Sequence, residues 1–188
     1  MVDSGIKRGL TITVSGWAGV GKGTVANALA KDLGLKVVAM GDIFREMARE
    51  RRIDLERFSA TREDEIDHQI DKRCLELARE GGVVLDGRLT GMIAGDLADC
   101  KLLIKCDMEQ KAERVAKRED ISTQEARKRL EERDANDSAK YISLYGADGS
   151  QQDIYDAVID TTHLDIEATK SEAIKVVRGI LKRKESYF

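Results

Sequence analysis

Short apolar runs recur along the chain, separated by longer stretches in which apolar residues return every three or four positions. Five runs have the length and continuity of buried parallel strands: LTITVS at 10–15, KVVAM at 36–40, VVLD at 83–86, LLIKCD at 102–107 and AVID at 157–160. Between them a helical period takes over. Ile66, Ile70, Cys74, Leu77 and Ala78 follow one another by steps of four, four, three and one, which predicts a helix over about residues 62–80 with one stripe on the sheet. Gly81 and Gly82 predict its end. KGTVANALAKDLG predicts another helix, with Val25, Ala28, Leu29 and Leu33 on its inward face. Ser122 and Glu125 have capping-box spacing, so a helix is predicted to start at Ser122. Asp165 is placed to cap the last helix, whose cationic end LKRK suits the helix dipole. Alternating strands and helices of this kind build an α/β fold around a parallel sheet. The segment 108–150 differs, being highly charged and sparse in large apolar residues. It reads either as a pair of exposed helices or as a mobile lid.

Nothing divides the 188 residues: there is no proline, no Gly/Ser-rich linker and no internal repeat, so one domain is expected. A composition 41% hydrophobic and 36% charged belongs to a soluble globular chain rather than a disordered one. The net charge of −3 offers no basic excess for nucleic acid. No apolar run is long enough for a membrane span, and the apolar part of MVDSGIKRGLTITVSG is too short for a signal peptide. Cys74, Cys100 and Cys106 are odd in number and lack zinc-type spacing, so reduced thiols in a cytoplasmic protein are expected. His68 and His163 are expected at the surface.

The chemistry starts at GWAGVGKGT, residues 16–24, between the first strand and the first helix. Gly16, Gly19 and Gly21 let backbone amides turn inward around phosphate oxygens, and the helix N-terminus adds its positive end. Lys22 brings a point charge to the outer phosphates. The common phosphate loop has Ser or Thr directly after the lysine, as a Mg²⁺ ligand. Here Gly23 follows Lys22 and the hydroxyl comes one residue later, at Thr24. One residue of helix rotates a side chain by about 100°, so Thr24 cannot replace that ligand. The metal would rest on phosphates, water and a carboxylate from elsewhere. Asp86, at the end of an apolar strand, is the candidate, because strand C-termini in open α/β sheets face the ligand crevice. A helix-capping role is the alternative for Asp86.

These stretches resemble the P-loop nucleoside monophosphate kinases and, within them, the cytidylate kinases of archaeal type. GxxGxGKGT is that group's loop, and MGDIFREMA, LDGRLTG, ERVAKRE, ERDANDSAKYISLYGAD and IDTTHL follow in order over most of the chain. The resemblance implies a three-layer P-loop fold, a five-stranded parallel sheet flanked by helices with a helical lid. It divides the chain into a core of about 8–107 and 151–188, monophosphate-binding helices at about 41–80 and a lid at about 108–150. It implies ATP on Gly16, Trp17, Ala18, Gly19, Val20, Gly21, Lys22, Gly23, Thr24 and Arg114. It places a monophosphate on Asp42, Arg45, Gly87, Arg88, Asp137 and Lys140, and catalytic charge on Lys22, Arg88, Arg118 and Arg133. Asp86 would stand near Mg²⁺, through water. Lys140 departs from the family's usual arginine, Met40 from its Ser or Thr, and Trp17 is unusual within the loop.

The implied reaction is ATP-dependent phosphoryl transfer to CMP or dCMP by a cytoplasmic monomer of pyrimidine nucleotide metabolism, with no nucleic-acid or membrane partner. Phosphoryl transfer asks for positioning and charge, not a covalent nucleophile. Closure of 108–150 would bring Arg114, Arg118 and Arg133 to the transferring group and exclude water. Other acceptors (AMP, UMP or shikimate) and a non-kinase ATPase or nucleotide switch are the competing readings; Gly23 weighs against the switch. Asp67 and Asp71 lie four apart on the predicted long helix. They are expected to form a solvated acidic face, with a cytosine amino group as their alternative partner.

Overall fold

The computed structural model describes residues 9–186. Its strands are β1 (Thr11–Ser15), β2 (Lys36–Ala39), β3 (Val83–Gly87), β4 (Cys100–Lys105) and β5 (Ala157–Asp160). They form one parallel sheet in the order β2-β3-β1-β4-β5. The helices are α1 (Lys22–Leu33), α2 (Met40–Glu50), α3 (Leu55–Thr61), α4 (Asp64–Glu80), α5 (Thr90–Ala94), α6 (Met108–Glu119), α7 (Thr123–Tyr145) and α8 (Ile166–Glu185).

Strand side chains alternate between two faces. Ile12, Val14, Val84, Leu102 and Ile104 pack on Val25 and Leu29 of α1 and Ala173 and Val177 of α8. Val83 and Leu85 point the other way, onto Cys74, Leu77 and Ala78 of α4 and Ala94 of α5. The result is the expected three-layer arrangement. The buried face of α1 is Val25, Ala26, Leu29 and Ala30, turned slightly from the predicted stripe. On α4 the buried set is Ile66, Asp67, Cys74, Leu77 and Ala78, so an acid belongs to the apolar stripe. Gly81 and Gly82 both adopt positive φ and end α4.

The fourth strand begins and ends two residues before its predicted bounds. Asp107 leaves the sheet because its carboxylate accepts a hydrogen bond from Gln110 N and caps α6. The charged segment after it forms two packed helices. Ala112, Val115 and Ala116 of α6 meet Ala126 and Leu130 of α7 in a small apolar cluster. Ser122 Oγ caps α7 by accepting from Glu125 N at 3.1 Å. The reciprocal half of the predicted capping box is absent: Glu125 accepts from Arg129 Nε instead. Asp165 caps α8 through Ala168 N. No helix among the described residues is long and apolar enough to cross a membrane.

Burial and capping should be separable by mutation. Leu85 has no exposed surface, and Leu85→Ala is expected to cost about 2–5 kcal/mol through lost contacts and a residual cavity. Asp165→Ala removes one cap and is expected to cost about 1 kcal/mol. Urea melts should show both midpoints falling at unchanged slope, Leu85→Ala further.

Candidate active site

Three parallel strand ends bring the site together. Register pairs Ser15 with Gly87 and Ala39 with Asp86. The glycine loop after β1, Arg88 after β3 and the start of α2 after β2 are therefore neighbours. Gly16 N donates to Arg88 O at 3.4 Å. Ser15 Oγ accepts from Gly91 N, tying the end of β1 to α5.

The loop's conformation depends on glycine at both ends. Gly16 has φ 143°, and a Cβ there would lie 2.4 Å from Ile104 O. Gly21, the N-cap of α1, has φ 94°. Lys22 Nζ donates to Trp17 O at 2.9 Å across the loop. Burial pushes the Lys22 ammonium down to about 8; Arg88 and Arg133 push the same way, against Asp86 and Asp134. Asp86 is itself held above the ordinary carboxylate range, chiefly by burial; Lys22 and Arg45 oppose this and Asp42 adds to it. A Cβ on Gly23 would lie 3.6 Å from Asp86 Oδ2, so the residue after the lysine abuts this acid.

Lys22, Arg88 and Arg133 form a crowded cationic group. Burial, then the charge of Arg88, lowers the pKa of Arg133. Carboxylates of α7 oppose the crowding. Arg88 Nη1 donates to Asp134 Oδ1 at 2.9 Å. Arg88 Nη2 lies 2.7 Å from Asp137 Oδ2, an ion pair off the angle of a hydrogen bond. The Arg88 guanidinium also lies over the Trp17 ring, 5.2 Å from its centroid, within cation–π range. Lys111 of α6, 5% exposed, donates to Asp134 Oδ2 at 2.6 Å.

Beside this group a pocket opens between α2, α3, α4 and α7, with about 650 Å³ of empty space, its mouth included. Arg62 forms part of its wall. Its Nε donates to Asp67 at 2.9 and 3.1 Å, and its Nη2 pairs with Asp137 Oδ1 at 3.2 Å. The Phe44 and Tyr141 rings lie 5.4 and 5.8 Å from its centre. Deeper in α4, Asp71 Oδ2 accepts from Tyr145 OH at 2.6 Å.

The structure therefore gathers Lys22, Arg88, Arg133 and Asp137 at one place, with Gly87 at the end of the strand leading there and Asp86 beside Lys22. Arg45 forms an exposed ion pair with Asp42 at the pocket rim, against Gly41. Arg114 takes a supporting position: it donates to Thr161 Oγ1, Thr161 O and Leu164 O, with Nη1 3.9 Å from a Cβ built on Gly21. Thr161 Oγ1 is also within hydrogen-bond reach of Val20 O at 2.9 Å, which gives IDTTHL its place beneath the loop. Two expected positions are displaced. The Arg118 side chain is 66% exposed and paired with Glu119, because its turn of α6 faces solvent. Lys140 pairs with Asp64 and donates to Arg62 O, outside the pocket lining. The solvated acidic face is also corrected. Asp67 is 6% exposed and bound to Arg62, and Asp71 lines the pocket. Arg62, Lys111, Asp134, Tyr141 and Tyr145 were not singled out by the sequence. ERDAND held a signal for Asp134, since one helix turn bearing Arg133, Asp134 and Asp137 offers charges of both signs to a shared pocket.

The comparisons agree with this geometry. The profile of the cytidylate kinase-like family matches residues 11–163. A cytidylate kinase of Methanopyrus kandleri is 42% identical over 187 residues, covering 94% of this chain and 97% of its own. One from Pyrococcus abyssi is 45% identical over 155 residues, covering 81% and 85%. Among solved structures, a gluconokinase from Sinorhizobium meliloti superimposes with a TM-score of 0.65 at 15% identity, covering 95% of this chain and 97% of its own. That likeness supports the fold alone. With a matching profile across most of its length and relatives at this identity, the chain belongs to the cytidylate kinase-like family.

Proposed function

We propose that the protein transfers the terminal phosphoryl group of ATP to CMP or dCMP, giving ADP and CDP or dCDP. The observation that carries this reading is the pocket between α2, α4 and α7 that Arg88 and Arg133 line, with the charges of both acting on Lys22 of the neighbouring glycine loop. The cytidylate kinase relatives support the acceptor.

In this reading the loop amides from Gly16 to Thr24 cradle the donor phosphates, and Lys22 stands between the outer ones. Arg114, held against Gly21, flanks the donor. Arg45 at the rim, with Asp42 beside it, and Arg88 clamp the acceptor phosphate, while Asp137 orients Arg88. Arg133 meets the charge that develops on the transferring group. The α6–α7 hairpin acts as the lid, and α2 to α4 as the monophosphate-binding helices. Arg118 and Lys140 have no assigned contact with the nucleotides. Asp86 fits a partial metal site: its carboxylate faces the first turn of α1, and no cluster of three metal-ligating side chains exists among the described residues. A Mg²⁺ ion there would neutralise phosphate charge, with Asp86 contributing through water and phosphate oxygens completing the coordination. The protein's own work is binding, orienting and excluding water, and no residue becomes covalently modified.

A coupled assay with ATP and a panel of monophosphates tests the reading. Turnover of CMP without turnover of AMP is expected; slow ATP hydrolysis with no acceptor used would overturn it. Lys22→Ala and Arg133→Ala should each lower kcat by about 10²–10³-fold, with circular dichroism unchanged. Near-normal turnover by Arg133→Ala would remove that residue from the mechanism. The pH profile follows from Lys22. Its pKa is depressed to about 8, so the ammonium is lost as pH rises through that value. The kcat/KM for ATP should then fall about tenfold per pH unit above it, since this parameter reports the free enzyme. Lys22→Arg, whose guanidinium stays charged, should show no such limb at a lower absolute rate.

A further inference from the structure

The pocket has two chemically opposite ends. At one end stand Arg88 and Arg133, whose charges also act on Lys22 beyond the lining. At the other, the charges that reach Asp71 are those of Asp67 and His68, and none of the three cations is among them. Asp71 lines the same pocket and bonds Tyr145, which stands twelve residues, about 18 Å, beyond Arg133 along α7.

Its two oxygens differ. Oδ2 accepts from Tyr145 OH at 2.6 Å, which fixes the carboxylate in the wall. Oδ1 has no hydrogen-bond partner among the described residues, and no cation among them pairs with Asp71. Asp67, one turn earlier, differs in that both its oxygens already accept from Arg62 Nε. The Tyr145 proton is likewise committed to Asp71. Asp71 Oδ1 is thus a fixed acceptor without a protein partner at this end, and the nearby walls, Ile70, Cys74 and Ile93, suit the faces of a flat ring. Burial pushes the Cys74 thiol up to about 12, so this wall carries no thiolate.

The geometry points to Asp71 as the residue that selects the base, by accepting a hydrogen bond from the exocyclic amine of cytosine through Oδ1. This rests on the pocket being the CMP site. A monophosphate held at the cationic end presents its base to the remainder of the pocket. Cytosine places an N–H donor at C4, where a carboxylate can accept it. Uracil places a carbonyl oxygen there, so two acceptors would face each other with no proton between them. Tyr145 acts through Asp71 as a positioning residue.

The test crosses a change in the protein with a change in the ligand. Wild type and Asp71→Asn are assayed at saturating ATP with CMP, with UMP, and with pyrimidin-2-one ribonucleoside monophosphate, which lacks the 4-amine. Wild type is expected to discriminate against the amine-free analogue by about 10–100-fold in kcat/KM, the range of a hydrogen bond to a charged group. Asp71→Asn should lose most of that discrimination, and its CMP/UMP ratio should fall by a similar factor, because an amide can donate to the uracil carbonyl. An unchanged CMP/UMP ratio, or equal discrimination against the analogue in both proteins, overturns the assignment of Asp71. Tyr145→Phe keeps the carboxylate and guards against a folding failure of Asp71→Asn. It should raise the KM for CMP with kcat little changed, and a loss confined to kcat would count against the assignment. Absence of CMP turnover by wild type would instead overturn the pocket's proposed function, and this inference with it.

Discussion

The mutual repulsion of three half-buried cations is the constraint around which the site is arranged. Lys22, Arg88 and Arg133 stand close together, and partial burial strengthens their repulsion as well as their attraction for an anion. The opposing acids come from the charged helical hairpin. Asp134 holds both Arg88 and Lys111, and Asp137 holds Arg88 and Arg62. The same contacts that neutralise the cations therefore join α7 to β3, α6 and the junction of α3 and α4. Electrostatic compensation and the seating of the hairpin are one set of bonds, and an anion entering the pocket competes with the carboxylates for the same guanidinium groups.

The strand and helix order was readable because each buried strand is a nearly continuous apolar run and each flanking helix carries one stripe. The P-loop was readable for a related reason: its conformation demands glycine at fixed points, as the close approach of Gly16 to Ile104 O shows. Bounds were less legible where a polar residue had two possible uses. Asp107 looked like the end of a strand and is a helix cap. Glu125 had the spacing for a capping box, but its carboxylate found Arg129. The buried ion pairs were hidden for a deeper reason. Arg62 and Asp67 are five apart in sequence, and Asp137 comes from a distant helix. Charge alone does not distinguish a solvated face from a buried network; only the packing of α7 over α3 and α4 does.

The supports beneath the loop show a similar economy of means. Thr161, just past β5, reaches Val20 O and Lys105 O with its hydroxyl and accepts from Arg114. A single buried side chain thereby fixes the loop, the end of β4 and the cation of α6 to one another. Arg114 also donates to the carbonyls of Thr161 and Leu164, and no carboxylate pairs with it among the described residues.

Trp17 connects these observations to something measurable. It is the chain's one tryptophan. Its carbonyl receives Lys22, and its ring lies beneath Arg88. An indole's emission responds to a charge moving over its face, so the protein carries an intrinsic optical reporter at the centre of its cationic group. Rearrangement of Arg88 can thus be followed in solution without attaching a dye, and without a second indole to confuse the signal.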